Sequence, residues 1–210
     1  MRTDAFSDRA SHVRTGRKLE FLTIGWNSLE ALIAVAAGLL AGSVALVGFG
    51  FDSVIEVSSG VAILWRLSLD ADPYRRERIE RTTLKIVGGT FLMLAGYVAF
   101  DALTALWSRE APMASYIGIA LAAASLAVMP ILARAKRRVA SQIQSKALHA
   151  DSRQTDICAY LSAILLGGLL LNALFGLWWA DPVAALVMVP IIAKEGIEAL
   201  KGETCCDSCH

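Results

Sequence analysis

The charged residues of this 210-residue chain fall in clusters, and the gaps between clusters are long enough to cross a bilayer. A spanning helix needs about 20 mostly apolar residues. Six segments meet that length: Phe21–Leu40, Val44–Trp65, Ile86–Trp107, Ser115–Ala133, Asp156–Phe175 and Pro182–Leu200. The last is the weakest, because Lys194, Glu195 and Glu198 crowd its end. Composition agrees: 56% of residues are hydrophobic and 19% charged, against about 45–50% and 25% in soluble domains. These numbers exclude disorder. The first 18 residues are polar and basic, with no apolar core and cleavage site, so the first apolar stretch is read as a retained span rather than a signal peptide.

Lys and Arg set the orientation. With the N-terminus inside, the N-terminal arm, the loop after span two, the segment between spans four and five, and the tail end carry five, six, six and two basic residues. Only Arg109 of the 20 falls outside. That asymmetry puts both termini in the cytoplasm, with Trp107, Trp178 and Trp179 as anchors at the outer boundary. The expected fold is an all-α membrane protein, a six-transmembrane-helix bundle. Residues 1–20 form a cytoplasmic arm, 21–202 the membrane domain, and 203–210 a Cys/His-rich cytoplasmic tail.

Function classes fall away quickly. The net charge of +1 gives no reason to expect a nucleic-acid partner. The chain has no zinc-ribbon spacing, GxGxxG, Walker loop, GxSxG or HExxH, and no Ser/His or Asp/Asp pair at a familiar spacing, so it is not expected to be an enzyme. Cys158 stands alone in an apolar stretch and the other three of the four cysteines lie in the last six residues, which is no disulfide framework.

The informative residues are acids in lipid, where an Asp at the bilayer centre costs about 2.5–3.5 kcal/mol on insertion scales. Span two carries Asp52 near its middle and Glu56 four residues on, so both carboxylates share a face one turn apart. Gly48 extends that face outward; Ser59 and Gly60 extend it inward. With no Lys or Arg in the middle of any span to pair with them, two such carboxylates hold protons or a cation. Glu30, with Asn27, either lines the same cavity from span one or packs as a protonated residue. Asp101 reads as a helix contact or an outer-vestibule acid. Asp181 before Pro182 reads as an N-cap with Pro at N1.

The entry to span five, ALHADSRQTDICAYLSA, carries His149, Asp151, Gln154, Asp156 and Cys158. Asp151, Gln154 and Cys158 share one helical face; Ser152 and Asp156 share another, turned by roughly 160°. A lone buried Cys is usually a small apolar filler, and a polar run at a helix entrance is usually solvated. The acids of span two weigh against both readings, because ligands converging from two helices are how a bundle holds a divalent ion.

On these residues the chain resembles the cation diffusion facilitators. GSVALVGFGFDSVIE looks like that family's Gly-Ser-x-Ala-Leu entry to span two with its acidic pair; ADSRQTD and WWADPVAAL look like its entries to spans five and six. The resemblance implies a metal site built from an acid pair in span two and a His-or-Asp-x-x-x-Asp pair in span five. Asp52 and Glu56 match the first pair, with Glu in place of the usual second Asp. For the second, alignment on Ala-Asp selects Gln154 and Cys158, and alignment on the acid selects Ser152 and Asp156. The first is preferred because those residues share Asp151's face and sit deeper in the helix.

The resemblance further implies metal/proton antiport by alternating access, driving efflux, and a homodimer in the plasma membrane, the inner membrane of a bacterium. No prosthetic group is expected; the metal is the substrate. A mixed O/N/S donor set suits zinc, cobalt, cadmium, nickel or ferrous iron, and disfavours manganese if Cys158 is a ligand. An acid-lined channel and a non-transporting metal sensor or scaffold are the alternatives. Many relatives continue past span six into a folded domain of roughly 80 residues; this chain looks like a short form. Its tail, with Cys205, Cys206, Cys209 and His210, is expected to capture metal, Cys206-x-x-Cys209 being a workable chelate spacing.

Overall fold

The computed structural model describes residues 2–41, 44–70, 72–109, 115–175 and 177–202. The Cys/His tail lies outside the described residues. Among these residues there are six α-helices and no strand: α1 Arg2–Ala41, α2 Val44–Ser68, α3 Pro73–Ser108, α4 Tyr116–Ile143, α5 Lys146–Phe175 and α6 Ala180–Lys201.

The helices run well beyond the apolar stretches. What reads in sequence as basic loops is mostly helix, because Lys, Arg and Glu are good helix formers. α1 begins in the basic arm, only residues 69–72 separate α2 from α3, and only Gln144 and Ser145 separate α4 from α5. Asp72 starts α3 by accepting the Arg75 N–H at 3.2 Å, with Pro73 at the first helical position. Gln144 turns the chain with a left-handed backbone, φ 51°. The Ser145 hydroxyl then caps α5 by accepting the Leu148 N–H at 3.1 Å. α6 starts at Ala180 with Trp179 at its N-cap position. Asp181 and Pro182 therefore sit inside the first turn, two positions later than the capping arrangement expected from sequence. Pro is tolerated there because first-turn N–H groups have no intrahelical acceptor.

Four stretches are long and apolar enough to cross a membrane by length and composition: Arg9–Leu40, Leu46–Ser68, Glu77–Ser108 and Tyr116–Ile143. α5 and α6 are helical over the fifth and sixth apolar segments but do not reach that measure among the described residues. The burial pattern is that of a protein in lipid. Leu32, Leu39, Leu40, Phe100 and Leu174 point outward, while Glu20, Glu30, Asp52, Glu56, Lys136 and Asp151 are buried. A soluble bundle has the reverse arrangement.

Helices α1, α2, α5 and α4 close into a ring, each touching the next, and α3 and α6 pair against its α2–α5 side. Close contact needs glycine at two crossings. A Cβ on Gly88 of α3 would lie 2.9 Å from the Gly196 carbonyl of α6, and one on Gly50 would lie 2.6 Å from the Val35 side chain. Small residues let membrane helices pack backbone to backbone in this way. One apolar cluster, including Ile63, Leu67, Val87, Phe91, Leu148 and Ile192, fills the half nearer the basic segments. Another, including Ala34, Leu46, Phe49 and Leu165, fills the far half. The polar residues lie along the ring between them.

Candidate functional site

Each helix of the ring contributes a polar stripe at helical spacing. On α1 it is Glu20, Thr23, Asn27 and Glu30; on α2, Asp52, Glu56 and Ser59; on α5, Asp151, Thr155, Cys158 and Ser162; on α4, Ser125 and Lys136. All are buried. Residues three, four or seven apart stack on one helix face, so four polar faces meet in one seam.

Helices α2 and α5 run antiparallel, and their stripes pair turn by turn. The Cys158 thiol sits against both the Asp52 and the Glu56 carboxylates. One turn toward the basic end, the Thr155 hydroxyl donates to Glu56 Oε1 at 2.6 Å. One turn further, the Ser59 hydroxyl donates to Asp151 Oδ1 at 2.6 Å. Asp52 Oδ2 and Glu56 Oε2 are buried and have no hydrogen-bond partner. A buried carboxylate oxygen without a donor is costly, and the ordinary remedies are a proton or a cation.

The other candidates are placed as follows. Glu30 accepts from Trp26 Nε1 at 2.7 Å and from the Ser53 hydroxyl at 2.8 Å, so each of its oxygens has a donor. Gln154 is buried but turned toward α3, with its Oε1 3.2 Å from the Thr90 hydroxyl and its Nε2 unpartnered. Asp156 lies on the opposite face of α5, half-buried and ion-paired with Arg137. His149 shares that outer face; burial pushes its imidazole below the ordinary value, and the charges of Arg137 and Arg153 add to the effect. Asp151 is held by Ser59 and by Lys136, whose Nζ donates to its Oδ2 at 2.6 Å.

Lys136 overturns one expectation. In the sequence it falls among the basic residues of an expected loop, with no cation expected to face the buried acids. It lies on α4 and is 0% exposed, as is Glu20, whose Oε2 is 3.2 Å away. Thr155 and Glu20 are likewise missed by sequence reasoning. The signal for Glu20 is the regular stripe 20–23–27–30 along α1; it is hidden because the apolar window begins at Phe21. As placed, no three His, Cys, Asp or Glu side chains among the described residues are grouped closely enough to hold an ion. The seam is a buried acid stripe.

A cavity of about 60 Å³ adjoins Asp52 in the far half, lined in part by Gly48, Tyr97, Asp101 and Leu161. A Cβ on Gly48 would lie 2.6 Å from the Tyr97 hydroxyl and 3.2 Å from Asp101 Oδ2, so glycine is what leaves this space beside Asp52. A water molecule's share of liquid volume is about 30 Å³, so the space is of the size that holds one or two waters or a stripped ion.

The basic end is built differently. Arg9 grips Asp70 with two hydrogen bonds of 2.9 Å. Arg66 adds a third at 2.6 Å and also pairs with Glu80. Glu80 Oε1 accepts from the Ser145 hydroxyl and the Ala147 N–H, each at 2.7 Å. Burial alone would raise the Asp70 carboxyl; the hydrogen bonds from Arg9 and the charge of Arg66 outweigh it and hold the group below its ordinary value. This network ties α1, α2, α3 and α5 together.

The family model for the cation efflux transmembrane domain matches residues 21–203. The chain is 26% identical to an uncharacterized transporter of Synechocystis sp. over 179 residues, covering 82% of this chain and 58% of the relative. It is 26% identical to an uncharacterized transporter of Methanocaldococcus jannaschii over 188 residues, 87% of this chain and 66% of the relative. It is also 26% identical to the manganese efflux system protein MneS of Bacillus subtilis over 201 residues, 92% of this chain and 69% of that protein. The chain thus spans about 58–69% of the length of these relatives.

Proposed function

The chain belongs to the cation efflux transmembrane-domain family, and on that premise we propose that it carries divalent transition-metal ions out of the cytoplasm in exchange for protons, by alternating access. The observation that carries this reading is the Asp52–Glu56 pair. These carboxylates lie one turn apart and are buried, each has an oxygen without a hydrogen-bond partner, and a thiol sits against both.

The mechanism follows from what this pair needs. With no ion bound, protons satisfy the carboxylates in a low-dielectric seam. A divalent ion from the cytoplasm displaces them, because acid and thiol ligands bind metal deprotonated. When the seam opens outward, external protons displace the ion. The cavity beside Asp52, with Asp101 and Tyr97 in its wall, is the outer exit in this reading. The inward proton gradient drives the cycle.

The bundle has six spans with both termini cytoplasmic, supported by the one-sided distribution of Lys and Arg. It works as a homodimer in the plasma membrane, the inner membrane of a bacterium. Residues 1–20 and 203–210 flank the transporter proper, and Cys205, Cys206, Cys209 and His210 gather metal for it. Cys158 favours zinc, cadmium, cobalt, nickel or ferrous iron over harder ions. The likeness to the manganese efflux system protein MneS and the oxygen donors Asp52, Glu56 and Thr155 favour manganese as the rival substrate. Reconstituted vesicles loaded with a metal-sensing dye decide between these readings. Flux of zinc, cadmium and manganese is followed with and without an imposed pH gradient. Flux that ignores the gradient contradicts antiport and points to a channel.

A further inference from the structure

Toward the basic end from the Asp52–Glu56 pair, a second group of oxygens surrounds a cation supplied by the protein itself. The Lys136 ammonium lies 2.6 Å from Asp151 Oδ2, 3.2 Å from Glu20 Oε2 and 3.4 Å from the Thr155 hydroxyl. The three groups come from α5 and α1, and Lys136 reaches them from α4. Lys136, Glu20 and Asp151 are all 0% exposed. Two carboxylates share one ammonium; Glu20 Oε1 has no partner, and Glu20 Oε2 has only that ammonium at 3.2 Å. A fully buried carboxylate is ordinarily hydrogen-bonded through both oxygens. The Glu20 carboxylate is therefore incompletely satisfied by the cation it faces.

We propose that Glu20, Asp151 and Thr155 form a second cation site, and that the Lys136 ammonium is its tethered occupant. The donors are all oxygen, so the ligand class is a hard divalent cation such as Mn²⁺, in contrast to the thiol-bearing position at Cys158. An ion entering from the basic end takes the place of the ammonium, which withdraws along α4, before moving one to two turns on to Asp52 and Glu56. Lys136 then acts as a plug: it keeps the acids compensated between ions and closes the approach to the deeper pair. This inference rests on Asp52 and Glu56 being the primary site.

The test counts Mn²⁺ bound per chain by electron paramagnetic resonance on the full-length protein in detergent. Lys136→Met is expected to bind one more Mn²⁺ per chain than wild type. Adding Glu20→Gln to it is expected to abolish the gain. Adding Asp52→Asn and Glu56→Gln to Lys136→Met instead is expected to leave the gain in place while removing the wild-type ion. A Lys136→Met protein with no extra ion, or an extra ion indifferent to Glu20→Gln, overturns the proposal. If Asp52→Asn/Glu56→Gln alone binds metal as wild type does, the primary-site reading fails and the Lys136→Met arm still stands by itself. Where Lys136→Met is unstable without metal, its thermal melting with and without Mn²⁺ is the second readout. A melting temperature raised by Mn²⁺ in Lys136→Met, and not in Lys136→Met/Glu20→Gln, supports the site. A protein that Mn²⁺ does not rescue overturns it.

Discussion

Asp70 and Glu80 at the basic end and Asp52 and Glu56 in the middle of the seam are buried or half-buried acids on the same pair of neighbouring helices or their junction, yet they are surrounded in opposite ways. Asp70 faces two guanidinium groups, and Glu80 has a guanidinium, a hydroxyl and a backbone N–H. Asp52 and Glu56 face a thiol and one threonine hydroxyl, and each keeps an oxygen with no partner. Full satisfaction fixes a structure. Partial satisfaction stores a demand that a mobile ligand can meet. The first set therefore reads as the fastening of four helices and the second as the place where cargo binds. Substitutions should divide the same way, with stability lost at one end and transport lost at the other.

The largest stability effect is expected at Arg66, which is 2% exposed and serves both Asp70 and Glu80. Arg66→Met removes one partner from a buried network, a loss of about 3–5 kcal/mol, measurable as a lowered denaturation midpoint in detergent. Asp52→Asn is expected to change stability by less than about 1 kcal/mol, because it neutralises a group that is under-partnered already. If these two effects came out equal, the division between fastening and site would collapse.

Selectivity comes next, and it turns on the face of α5. With the thiol against the acid pair and Asp156 out beside Arg137, Cys158→Ser is expected to lower cadmium and zinc flux at least about tenfold while sparing manganese, since only hard oxygen donors remain. Asp156→Asn is expected to be mild for every metal. The reverse order would mean that the helix turns the other face inward during transport.

Much of this was legible in the residues. Clustered charge marks the apolar segments, and the Asp52–Glu56 spacing marks the seam from α2. Periodicity also divides α5 into a face with Asp151, Gln154 and Cys158 and a face with Asp156. Gln154 shows where that reasoning stops: a face about three residues wide spans two neighbours, and its side chain turns to Thr90 on α3. Lys136 and Glu20 were not legible, because hydropathy windows take a charge as the end of a span. Charged residues with high helix propensity instead continue α1 and α4 past that point, carrying both inside the bundle.

A smaller effect is expected at Asp70, and its pH dependence has a definite sign. The carboxyl is held below its ordinary value of 3.8, so its contribution to stability is complete above that value and disappears as pH falls through the lowered one. Asp70→Asn should cost about 1 kcal/mol near neutrality, with the gap to wild type closing in strong acid. Melting curves of the two proteins across acidic pH check it. The smallest effect belongs to the tail. Removing Thr204 to His210 is expected to leave the maximal flux unchanged and to weaken uptake only at low metal concentration. A truncated protein that inserts but does not transport would make the tail part of the pathway.

The central claim is that Asp52 and Glu56 bind the transported ion and the protons exchanged for it. Its most direct test is metal flux in vesicles holding wild type or Asp52→Asn/Glu56→Gln, each with and without a pH gradient. Wild-type flux is expected to rise with the gradient, and the double variant is expected to insert and melt like wild type yet show no flux in either condition. Gradient-driven flux at the wild-type rate in the double variant would contradict the account.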